Sequence, residues 1–163
     1  MARGSITVRD IARLISLPVQ DQRILVEQLR YWTDEGLLVA SRGSGKGTGN
    51  YRRYGEEMIW RAKLLHTLAY RGAKVEEMGK VINRLDNLDS EQRKLWQMAK
   101  ETEDCEVYLV IPPMGKPDIF KGLKPLHGWF KLWPALLIVH LGSALKLPPE
   151  WSMRGGFHYV SPA

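Results

Sequence analysis

The sequence predicts a mainly α protein with a short β wing: an N-terminal winged helix-turn-helix, a linking helix and a small α+β C-terminal domain. Three observations lead there. Apolar residues recur at helical spacing through most of the first 86 residues. One glycine-rich, cationic stretch between two short β-prone runs interrupts that pattern. Beyond residue 105 the pattern turns alternating and aromatic. The expected division is 1–88 for DNA binding, 89–104 for linkage or dimerisation, and 105–163 for an effector or oligomerisation role.

A first helix is expected over 7–15. Thr7 can cap it and Asp10 can return the bond, as in a capping box. Val8, Ile11, Ala12 and Ile15 form one apolar face. Leu17-Pro18 stops it, because the residue before proline avoids helical angles. A second helix is expected over 21–35, with Ile24, Leu25, Leu29 and Trp32 as its buried stripe. Arg23, Glu27, Arg30 and Asp34 lie on its other faces, and Gly36 ends it as a C′ glycine. Strands are expected over 37–40 and 50–54. Between them lie Gly43, Gly45, Gly47 and Gly49 with the cations Arg42 and Lys46. Residues 42–53 carry four basic side chains and no acid.

A third helix is expected over 56–70, with Ile59, Ala62, Lys63 and His66 along one side. Arg71-Gly72 ends it. A fourth, over 75–85, aligns Val75, Met78, Val81, Ile82 and Leu85. Its Glu76 and Glu77 suit the positive helix N-terminus. Residues 90–103 are polar and suit a helix that links two halves or meets a partner chain. A strand is expected over 106–111, closed by Pro112-Pro113. Residues 136–141 suit a buried strand or a short core helix. Eight of the fifteen aromatics fall in 105–163. Among them Trp129, Phe130, Trp133 and Trp151 are a candidate apolar ligand pocket or simply a domain core.

In order and spacing, four segments resemble the DNA-binding domain of the MerR family of transcriptional regulators. They are Leu29-Arg30-Tyr31-Trp32, Glu35-Gly36-Leu37-Leu38, Tyr51-Arg52-Arg53-Tyr54 followed by Glu56-Glu57, and Arg71-Gly72-Ala73-Lys74 running into Val75. The resemblance covers residues 5–86. Trp32 stands where the family has a second tyrosine, and the segment before Leu29 and the wing loop are both longer than the common pattern. The resemblance implies a dimer on a near-palindromic promoter whose spacer is distorted so that RNA polymerase can engage. It also implies that Arg30 and Tyr31 touch DNA from the recognition helix. The alternative for Tyr31 is packing against the wing.

Charge agrees with a polyanionic partner. The chain carries +6, and residues 1–88 hold 15 basic against 10 acidic residues. Arg52 and Arg53, with Arg42, Lys46 and Tyr51, are candidate phosphate contacts of the wing. Arg23 and Gln28 are able to reach base edges. Double-stranded DNA is the expected partner, joined by a second copy of the chain, RNA polymerase and a small-molecule effector. A phage-type architectural module, excisionase-like or packaging, is the alternative.

No enzyme is expected, because no Ser-His-Asp, paired-carboxylate or phosphate-loop arrangement stands in the sequence. No cofactor or metal is expected either. Cys105 is a single cysteine, and its spacing from His127, His140 and His158 matches no zinc pattern. No apolar run is long enough to span a bilayer, and no signal peptide stands out, so a cytoplasmic protein is expected.

Overall fold

Thr7 opens the first helix as its side chain predicts. Its hydroxyl oxygen accepts from the Asp10 amide at 3.2 Å, while Asp10 accepts from the Thr7 amide at 2.9 Å. The capping box starts α1 (Val8–Ile15) and buries Ile11, Ala12 and Ile15. The computed structural model describes residues 6–17, 20–42, 51–126 and 137–147. The chain divides by packing into two compact units, with the boundary between Ala62 and Lys63. Among the described residues, helices predominate and two small antiparallel sheets accompany them.

In the first unit α1 packs on α2 (Gln22–Asp34). Asp21 caps α2 by accepting from the Arg23 amide at 2.8 Å. Leu25, Leu29 and Trp32 are buried, Trp32 at 1% exposure. Ile24 was expected in that stripe, yet it is 66% exposed. The cause is helical phase: Ile24 sits about 100° from Leu25 and on the side of Tyr31, away from Trp32. Gly36, at φ +75°, turns the chain out of the helix in the left-handed region.

Three short strands follow this turn in space. They are β1 (Ile6–Thr7), β2 (Ala40–Arg42) and β3 (Arg53–Tyr54), ordered β1-β3-β2. The first ribbon strand was expected over 37–40 and instead starts at Ala40. Leu37 and Leu38 are buried in the bend before it, and their amides both donate to the Trp32 carbonyl. β1 was not foreseen. Two residues carry too little alternation to show, and the strand exists only through pairing with β3.

Helix α3 (Glu57–Tyr70) runs through the unit boundary. In the second unit, Gly72 at φ +85° ends it, and α4 (Val75–Asp86) buries Met78, Val81, Ile82 and Leu85. The other sheet is ordered β5-β4-β6, from β4 (Val107–Ile111), β5 (Asp118–Lys121) and β6 (Leu137–His140). The segment expected as strand or short helix supplies both, since β6 leads directly into α6 (Leu141–Leu145). The polar helix α5 (Ser90–Glu101), expected as a linker or partner contact, packs on β4, β5 and α6 through buried Gln92, Trp96 and Ala99. Packing places α4, α5 and this sheet in one unit, Lys63–Lys146. Asp118 ties the three elements: Arg84 donates to it at 2.9 Å, and so does the Gln92 side-chain amide.

Among the described residues no helix is long and apolar enough to cross a membrane.

Candidate nucleic-acid interface

Helix α2 divides cleanly by phase. Its buried stripe is Leu25, Leu29 and Trp32. The opposite face carries Arg23, Ile24, Glu27, Arg30, Tyr31 and Asp34, all exposed. Gln28 is half-buried at the edge of this face. The sequence candidates Arg23, Arg30 and Tyr31 thus stand on one outward surface, whereas Gln28 lies about 160° around the helix from Arg30, towards the buried stripe. Tyr31 is 48% exposed on this surface. Ile24 belongs to the same surface and was missed. An exposed β-branched residue beside Tyr31 offers apolar contact of the kind a thymine methyl accepts.

The face is electrically mixed. Arg30 pairs with Glu27 at 2.5 Å. Asp34 pairs with Arg52, which arrives from the ribbon, also at 2.5 Å. Both acids are therefore neutralised in place. Arg23 forms no ion pair among the described residues and leaves the surface net cationic.

The ribbon meets the C-terminal end of α2 through two residues of one parity. The Tyr54 hydroxyl lies 2.9 Å from the Thr33 hydroxyl, and Tyr54 is buried. Arg52, two residues earlier, reaches Asp34 with one amino group and the Arg30 carbonyl with the other at 3.5 Å. The Asp34 hydrogen bond, followed by charge attraction from the same carboxylate, holds the guanidinium pKa above its ordinary value despite partial burial.

The other parity points elsewhere. Tyr51 is 75% exposed. Arg53 is half-buried and lies directly across from Arg42, which is exposed. Like charges opposed across a ribbon repel. No acid among the described residues neutralises either one, so the pair is suited to an anion. Ser41 fastens this edge by donating to the Arg53 carbonyl at 3.0 Å.

Lys46 and the whole aromatic group Trp129, Phe130, Trp133 and Trp151 lie outside the described residues. Asp34 and Thr33, which organise the surface, were not singled out from sequence. Only their spacing from Trp32 could have marked them, and nothing local pairs them with residues 52 and 54.

Residues 7–85 match the family model described as MerR HTH family regulatory protein. No curated protein matches the chain. The matched span begins at the Thr7 cap and ends in α4, so it holds the α2 face and the ribbon together. These residues are a MerR-family helix-turn-helix segment, and they make the chain a DNA-binding transcription regulator.

Proposed function

We propose that the chain is a sequence-specific regulator that binds a near-palindromic promoter element as a homodimer. The carrying observation is the union of the outward α2 face with an unneutralised Arg42–Arg53 pair on the adjoining ribbon. A helix of this size fits the major groove, and a cationic ribbon beside it meets the flanking phosphates. Arg23, Arg30, Tyr31 and Ile24 form the base-reading side, with Gln28 at its edge. Arg42, Lys46, Tyr51 and Arg53 form the backbone side, with Arg52 at their junction. Specific affinity from one such module is low, and two copies on a two-fold site supply the rest. The segment from residue 105 onward conveys an effector or oligomerisation signal, and RNA polymerase at the distorted promoter receives it in the cytoplasm.

Selection of bound duplexes from a random pool, followed by footprinting, tests this reading. A single enriched motif with two-fold symmetry and one protected region is expected. Uniform coating or bending without an enriched motif would replace the regulator with an architectural DNA-binding protein.

A further inference from the structure

The adjacent arginines of the ribbon face opposite ways. Residues 52 and 54 turn towards α2, where Arg52 meets Asp34 and Tyr54 meets Thr33. Arg53 alternates with Tyr54 in β3 and so lies on the other face of that strand, and Tyr51 is 75% exposed. Arg52 is committed on several sides: to the Asp34 carboxylate, to the Arg30 carbonyl and to Tyr54. Its side chain keeps only 20% of its exposure, while Asp34 keeps 61%. A cation held this way has little surface left for a phosphate. Asp34, in turn, sits on the outward face of α2, where an unneutralised carboxylate would repel nucleic acid.

We infer that Asp34 is a positioning residue: through Arg52 it latches the ribbon to α2, fixes the angle between the two DNA-contacting elements, and leaves Arg53 rather than Arg52 to meet phosphate. The inference rests on the DNA-binding reading above and assigns separate tasks within its site. A phosphate contact contributes affinity to every sequence alike, whereas the angle between helix and ribbon decides whether base contacts and phosphate contacts form together. Losing the latch should therefore cost discrimination more than it changes counterion release.

The test uses the full chain with Asp34→Asn, Arg52→Gln, Arg53→Gln and the Asp34/Arg52 double variant. Affinity for the selected operator and for a random-sequence duplex is measured across a sodium chloride series. Arg53→Gln should flatten the log K against log salt line by about one unit per protomer, about two for the dimer on its operator. Asp34→Asn and Arg52→Gln should each leave that slope near the parent value and lower the operator-to-random ratio about tenfold, the scale of one base-pair contact. The double variant should be no worse than either single one, because both singles break the same link. A slope loss of about one unit per protomer in Arg52→Gln, or unchanged discrimination in Asp34→Asn, overturns the latch. Thermal midpoints of the four proteins without DNA give a second readout. Non-additive midpoints for Asp34 and Arg52 support the latch and additive ones overturn it, even if the parent chain binds no DNA, a result that would sink the regulator reading by itself.

Discussion

His66 shows how one side chain can give this fold a pH dependence. It is 7% exposed, and burial, followed by repulsion from Lys63, pushes its imidazole pKa below the ordinary 6.5. Burial lowers the Lys63 ammonium as well. The unfolded chain then binds a proton at His66 more readily than the folded one. Its contribution is fully present above pH 6.5 and is lost as pH falls below it towards the folded-state pKa. The melting temperature should drop between pH 7.5 and 5.5, and His66→Leu should reduce that drop. An identical pH profile in parent and variant would assign the acid sensitivity elsewhere. Trp32 gives the complementary case of a purely apolar anchor. It is 1% exposed, so Trp32→Ala should cost about 3–5 kcal/mol in chemical denaturation. A loss under 1 kcal/mol would mean that the site collapses onto the missing ring.

At the level of elements, the signals legible in the sequence are those that act over a few residues. Thr7 with Asp10, Asp21 before α2, and the glycines at 36 and 72 each solve a local problem of orphan amides or left-handed turns. Replacing Thr7 with alanine should therefore cost about 1 kcal/mol, and restoring it with serine should recover most of that. Thermal melts of the three proteins check this, and equal midpoints would show that β1–β3 pairing alone starts α1. Gly36→Ala should cost a similar amount, about 1 kcal/mol, because φ +75° is strained for any Cβ although no atom lies within 4 Å of it. What was illegible depends on partners distant in sequence. β1 needs β3, the start of β2 is set by Leu37 and Leu38 turning inward, and Ile24 is exposed because only one side of α2 meets α1. The outward placement of Arg23, Glu27, Arg30 and Asp34 could be read from phase, but that of Ile24 was not. The opposite tasks of Arg52 and Arg53 could not, since nothing near them in sequence names Asp34.

At the scale of the whole molecule, α5, expected as a helix that links two halves or meets a partner chain, packs within the second unit. Gln92 and Arg84 share Asp118 at the start of β5, and Arg71 donates to the Ile138 carbonyl on β6 at 2.9 Å. The helix pair that closes the family segment thus shares hydrogen bonds with a sheet that the family match does not cover. Its packing is tight as well: a Cβ on Gly142 would stand 2.1 Å from the Glu103 carbonyl oxygen, too close without a backbone shift. This predicts how a truncation after residue 88 behaves. The fragment keeps α2 and the ribbon, so it should still shift DNA in a gel, and its 15 basic against 10 acidic residues favour that. It loses Ile138, which Arg71 bonds, and Asp118, which Arg84 bonds, and leaves Arg84 only the Asn87 carbonyl. α4 should then fray, the melting midpoint should fall below that of the full chain, and affinity should drop with it. Circular dichroism melts and gel shifts of fragment and full chain measure both. A fragment that melts at the full-chain temperature would mean that the sheet does not support the helix pair, and DNA binding carried by residues 89–163 alone would remove the α2–ribbon surface from the mechanism.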